Sequence, residues 1–336
     1  MDDWKAILKA DSTNWLLEEE NPSVRYFTLK DILDKPEEDK AAQDAKQEIM
    51  QTGMVHDILN RQQEPAYLQT YPSFYTNKYK GLVWQLIVLA ELGVDVNPQI
   101  KEQCEYILSN SQEVESGGFA MHASAKTGGG RITEVIPCLT GNMVWSLIRL
   151  GYIDDPRLQK SIDWITRYMR FNDGVEITTQ VPPYDRYEAC WGKHTCHMGV
   201  VKALKALSII PEELRSSQIN DTIHKSTEFI LIHHIYKRSH DLSRVSKPGW
   251  LKFGFPLMYQ TDVLEILDIL TKLGIKDSRM NEAINTVISK QDDMGRWKME
   301  NTYSNDRLLI PNEHKDAQSK WITLRAMRVI KRYICK

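Results

Sequence analysis

The densest cluster of reactive side chains is the string CWGKHTCH, which holds Cys190, His194, Cys196 and His197. Thiolates and neutral imidazoles are the ligands that Zn²⁺ takes, commonly four in a tetrahedron. Cys138, in EVIPCLTGN, is a further candidate ligand. Cys138, His194 and Cys196, completed by Cys190 or His197, would make a zinc centre able to activate a thiol or a water, with His194 counted among the catalytic groups. The spacing matches no standard zinc finger, and Cys138 and Cys196 also suit small buried positions at helix starts.

Asp262 is a lone carboxylate ahead of the run VLEILDILTKLG. It is a candidate catalytic acid, and it is equally an N-cap. For an anionic group such as a phosphate the candidates are Lys78, Lys80 and Arg131, the last in TGGGR. A glycine-rich turn can offer backbone N–H groups, but this one lacks the P-loop spelling and also reads as a surface loop. Tyr75, Tyr79, Trp191, Phe253, Phe255 and Tyr259 stand in or near segments that precede apolar helices, as does Asn142. They are candidate walls for an apolar ligand, whereas Trp145 and Trp321 fall at helical core spacing.

The elements that position these residues repeat. GLVWQLIVLAELG (Gly81 to Gly93), GNMVWSLIRLG (Gly141 to Gly151), GVVKALKALS (Gly199 to Ser208) and DVLEILDILTKLG (Asp262 to Gly274) share apolar i, i+3, i+4 spacing and close on a small residue. Closing glycines suit left-handed C-caps. Weaker copies lie near Val24 to Leu33 and from Lys320, so successive copies fall roughly 55–65 residues apart, the length of two helices with loops. More polar helices sit between them: NPQIKEQCEYILSN and DDPRLQKSIDWITRYM open on Asx-Pro starts, and KDSRMNEAINTVISK fills the same slot. HHIYKRSHDLSR (His233 to Arg244) reads as the basic end of such a helix, and no strand-period alternation competes.

Composition supports a large helical core. The chain has 336 residues, 42% hydrophobic and 26% charged, with a net charge of −2. That balance gives no field for nucleic acid or an acidic membrane. No apolar run is long enough to span a bilayer, the start MDDWKAILKA has no signal-peptide pattern, and five cysteines suit reduced thiols in the cytoplasm.

A turn follows the more polar helices. It is clearest in QDDMGRW, where Gln291, Gly295 and Trp297 stand as Q-x-x-x-G-x-W, with a degenerate copy at Gln112, Gly118 and Phe119. The repeat resembles the terpenoid cyclases and the β subunits of protein prenyltransferases. The resemblance runs through essentially the whole chain and implies one all-α domain over residues 1–336, a closed (α/α)6-type toroid of about six helix pairs around a central cavity. It also implies an isoprenoid or lipid-like ligand in that cavity. His194-Thr195-Cys196 is similar to the zinc-histidine helix start of the prenyltransferases, whose cysteine ligand lies where Cys138 stands; the family's aspartate before it is replaced by Ile136 and Pro137. The Asp-x-Asp-Asp acid of protonation-initiated cyclases is missing. Two further readings stay open: a non-catalytic lipid- or peptide-binding toroid, and a carbohydrate-active one needing paired carboxylates, for which Asp262 with Glu134 or Glu188 are available.

Overall fold

A computed structural model describes residues 3–174, 181 and 183–335. In chain order the α-helices are α1 (Thr13–Leu16), α2 (Pro22–Phe27), α3 (Lys40–Gln51), α4 (Gly53–Gln62), α5 (Pro65–Leu68), α6 (Leu82–Leu92), α7 (Pro98–Asn110) and α8 (Pro137–Arg149). They continue as α9 (Pro156–Tyr168), α10 (Glu188–Trp191), α11 (His197–Leu207), α12 (Ser217–Ile232), α13 (Val263–Lys272), α14 (Asn281–Ser289) and α15 (Lys320–Cys335). The chain is mostly helical, and no helix among the described residues is long and apolar enough to cross a membrane.

Two kinds of helix alternate, for a reason visible in their sequences. Helices α6, α8, α11 and α13 are buried along nearly their whole length, as expected of helices that are apolar on most faces; α15 is buried over most of residues 320–330. Helices α7, α9 and α14 bury one stripe and expose the other. The starts of α7 and α9 follow the Asx-Pro spelling: the Asn97 side chain accepts the Ile100 N–H at 2.8 Å, and Asp155 accepts that of Arg157 at 2.8 Å. Gly93, Gly151 and Gly274 close α6, α8 and α13 with φ of 76°, 82° and 74°, the left-handed region expected of a C-cap glycine.

One stretch departs from its expectation. Helix α12 stops at Ile232, and the HHIYKRSHDLSR segment continues as a hairpin of β1 (Lys237–Arg238) and β2 (Asp241–Val245). His234 and Ile235 carry positive φ of 41° and 74°, which no α-helix can accommodate.

The chain forms two compact units. The first comprises Met1–Gln62, Leu92–Val94 and Leu231–Lys336; the second comprises Gln63–Glu91 and Asp95–Ile230. In the second, α8 packs closely on α11 because Gly141 has no side chain: a Cβ there would lie 2.5 Å from the Lys202 carbonyl carbon. In the first, α13 packs on α15, and α15 also meets the N-terminal elements. Lys320 pairs with Glu18 at 2.8 Å, and Arg328 reaches Asp31 at 2.7 Å and Asp268 at 2.5 Å.

The Gln–Gly–aromatic turn is built alike in each unit. After α14, Asp292 accepts the N–H groups of Met294 and Arg296, and Gly295 turns the chain at φ 70°. The Trp297 N–H then donates to the buried Thr323 hydroxyl in α15, 3.0 Å away. After α7, Glu113 accepts the N–H groups of Glu115 and Ser116, Gly117 supplies the turn at φ 82°, and the Phe119 N–H donates to Thr140 in α8 at 2.9 Å. The amides act as tethers: Gln112 Nε2 donates to the Arg157 carbonyl and the Ser161 hydroxyl, both at 2.6 Å, and Gln291 Oε1 accepts the Lys9 N–H.

Candidate functional site

In the second unit the segments preceding α8 and α11 bring three thiols together. Cys138 opens α8 and is 4% exposed. Cys196 caps α11, its Sγ accepting the Gly199 N–H at 3.3 Å, and Cys190 in α10 donates its S–H to Cys196. Burial, with the neighbouring Cys196, pushes the Cys138 thiol up to about 12. For Cys190 the hydrogen bond to Cys196 comes first and burial second, and both also raise it. Both shifts favour the protonated thiol for Cys138 and Cys190.

The histidines of the same string do not complete a ligand set. The His194 side chain is 68% exposed and turns to Asp173, 3.1 Å from Nδ1. His197 lies inside α11, its ring edge-on to Phe229. Among the described residues no group of three or more His, Cys, Asp and Glu side chains is placed to hold a metal ion. The zinc set expected from the sequence therefore does not fit this arrangement: the thiols meet, but the histidines face elsewhere.

Beside the thiols lies a polar patch in which Asn142 was expected from the sequence and the lysines were not. Asn142 stands one turn after Cys138 and is fully buried, with neither amide atom hydrogen-bonded among the described residues. A buried unpaired amide costs about 1–3 kcal/mol, so its presence marks a position held for something other than stability. Facing it on α11, Lys202 is fully buried, and Lys205 lies 4.0 Å above the Trp145 ring and 3.9 Å from Glu91. Lys202 interrupts the apolar spelling of GVVKALKALS. Only the pairing of α8 with α11 encloses it.

The other residues expected in this unit fall in separate places. Tyr75 and Tyr79 are half-buried and flank Trp84, with ring centroids 5.8 and 5.4 Å from it, while the Trp84 Nε1–H donates to the Tyr75 carbonyl. Lys78 is exposed at φ 42°, and Lys80 is half-buried. Arg131 is exposed and turns back on its own loop, to the Ala123 carbonyl and Glu134. Trp191 is 2% exposed and packs edge-on to Trp164 and Tyr184.

In the first unit Asp262 is 1% exposed and caps α13. Its two oxygens are taken by the Glu265 N–H at 2.7 Å and the Gly254 N–H at 2.9 Å, so it ties the loop to the helix start. Burial pushes its carboxyl up to about 6 against those hydrogen bonds and Arg325. Phe255 stacks on Trp321 at 4.3 Å and 8°, with Arg325 5.2 Å from its ring. Phe253 and Tyr259 are buried too. Glu313, raised by burial, accepts the Ser319 hydroxyl and the Lys320 N–H ahead of α15.

The Asp262 shift carries a sign. A carboxyl raised in the folded state binds its proton more tightly than the unfolded chain does. Its contribution is therefore most favourable below about pH 4 and falls as pH rises to about 6, by about 3 kcal/mol in all. Asp262→Asn should remove this downward slope from the urea-unfolding free energy measured across that interval; an unchanged slope would assign the titration to another group.

No family model matches this chain, and no curated protein matches it in sequence.

Proposed function

We propose that the helix pairs close into a ring of about six repeats of the cyclase and prenyltransferase kind, around a cavity that takes an apolar, isoprenoid- or lipid-like molecule. The observation that carries this reading is the Gln–Gly–aromatic turn, formed with the same hydrogen bonds to a buried threonine in both units. Closure is supported by the docking of the first residues on the last of these turns: Ser12 donates to the Met294 and Gly295 carbonyls at 2.9 Å, and a Cβ on Gly295 would meet the Ala10 carbonyl. Such contacts join the chain's beginning to its last repeat, as a ring requires and an open solenoid does not. The buried Asn142 amide and the cations of α11 suit a ligand with an apolar body and a polar head. All five cysteines are free thiols, which suits a reducing compartment such as the cytoplasm.

Tryptophan fluorescence titrated with farnesol and with farnesyl diphosphate should show saturable binding, tighter for the diphosphate if the α11 lysines meet the head group. Loss of saturable binding for both ligands in folded protein would overturn the reading. Mass analysis of the farnesyl diphosphate incubation separates an enzyme, which releases a new product, from a binding module, which returns the ligand unchanged.

A further inference from the structure

Ahead of α11 the chain encloses a cavity for which neither the ring nor the thiols account. Its volume is about 350 Å³, at the lower end of small-molecule sites, and the described residues that line it fall between positions 184 and 193. The stretch is braced against α9. Tyr184 packs edge-on to Trp191 with ring centroids 5.2 Å apart, and its hydroxyl donates to the Tyr168 carbonyl at 3.1 Å. The Arg170 guanidinium donates to the Trp191 and Gly192 carbonyls at 3.1 and 2.6 Å. Tyr187 is held at φ 52°, a left-handed conformation that strains a tyrosine and that clusters at ligand clamps and active sites.

Two polar atoms of the lining residues stand without partners. Trp191 is 2% exposed, and its Nε1–H meets no acceptor among the described residues. Asp185 Oδ1 meets no donor among them, while Oδ2 lies 3.7 Å from Arg186 Nε, longer than a charge-assisted hydrogen bond. Buried polar atoms are nearly always paired, so an orphan donor and an orphan acceptor around one cavity mark a site that a ligand completes. The Asp185 side chain keeps 22% of its surface exposed, and rotation of a carboxylate is soft, so this oxygen can turn to the cavity.

The lining also sets a charge pattern. Asp185 and Glu188 supply two carboxylates, Arg186 and Lys193 supply two cations, and Tyr184, Tyr187 and Trp191 supply aromatic surface. A simple cation or a simple anion answers only one sign. A neutral sugar can bond both orphan atoms but leaves the charges of both signs unanswered. A zwitterion with an apolar side chain answers every group.

We propose that this cavity binds a free α-amino acid. The ammonium meets Asp185 and Glu188, the carboxylate meets the Trp191 N–H and Lys193, and the side chain lies against Tyr184 and Tyr187. This site goes beyond the apolar ligand of the ring and does not depend on it.

Isothermal titration of the full chain with L-phenylalanine should show saturable binding with a Kd of about 1 mM or tighter. Phenethylamine lacks the carboxylate and 3-phenylpropionate lacks the ammonium, so each should bind at least about tenfold more weakly. Trp191→Phe keeps a ring and removes the donor, and should weaken phenylalanine binding about fivefold or more. Asp185→Asn should weaken phenylalanine and phenethylamine but not 3-phenylpropionate. Lys193→Gln, a change at an exposed side chain that should leave the fold intact, should weaken phenylalanine and 3-phenylpropionate but not phenethylamine. No binding of phenylalanine up to about 10 mM, or equal affinity for the three compounds, would overturn the proposal. So would phenylalanine binding unchanged in both Asp185→Asn and Lys193→Gln, or tighter binding of D-glucose than of phenylalanine.

Discussion

Replacing Asp268 with alanine should lower the free energy of unfolding by about 3–5 kcal/mol, because it leaves two partly buried arginines without their shared counter-ion. Arg328 donates to both oxygens of Asp268, and Arg332 to one of them at 3.0 Å, with the side chains only 15–21% exposed. Asp31 takes the remaining Arg328 nitrogen, so α13, α15 and the N-terminal segment share one ionic knot. Burial alone would raise the Asp268 carboxyl, but Arg328 and Arg332 overcome it and hold it at about 2. The linkage sign is the opposite of that of Asp262. This contribution, about 2 kcal/mol, is present above about pH 4 and is lost as pH falls towards 2. Urea unfolding of Asp268→Ala at neutral pH checks the first claim, and acid unfolding of the parent checks the second. A loss below about 1 kcal/mol at neutral pH would mean that the knot is an ordinary surface network.

Trp297→Ala and Phe119→Ala should each cost about 3–5 kcal/mol, the range for removing a large buried aromatic ring. Both side chains are fully buried, and Trp297 also donates Nε1–H to the Val287 carbonyl at 2.7 Å. Packing alone would predict the same for any buried aromatic, so the informative variants are Thr323→Val and Thr140→Val. Each keeps the side-chain shape but leaves the N–H of Trp297 or Phe119 buried without its acceptor, at about 1–3 kcal/mol. Parallel losses from the two valine variants, measured by urea unfolding, would show that the turns do the same job. A loss at Thr323 with none at Thr140 would make the degenerate turn an accident of local packing, and would remove the main support for the ring.

The motif spelling located the turns but not the glycine of the degenerate copy. In SQEVESGGF the alignment with QDDMGRW pointed to Gly118, whereas Gly117 makes the positive-φ turn. Gly118 is needed for closeness instead: a Cβ there would lie 2.3 Å from Val135 and 2.6 Å from Trp164. A single sequence cannot separate these uses of glycine, since one is set by the backbone angle and the other by a neighbour from elsewhere in the chain. The thiols show the same division. The expected set was Cys138, His194 and Cys196, completed by Cys190 or His197; the structure brings the three thiols near one another. That His194 turns to Asp173 depends on the path of the chain before α10, which carries no periodic signal.

By itself the sequence determined that the chain is mostly helical, where its buried helices run, and which residues cap them. Those features depend on local spacing: apolar residues at i, i+3 and i+4, an Asx-Pro start, a closing glycine. The tertiary structure alone decided which polar groups are enclosed and which face one another. Lys202 is buried because Gly141 lets α8 press against α11, and Asp262 spends both its oxygens on backbone because the Gly254 loop lies over the start of α13. Each of these depends on contacts between residues distant in sequence, and helical periodicity holds no record of them.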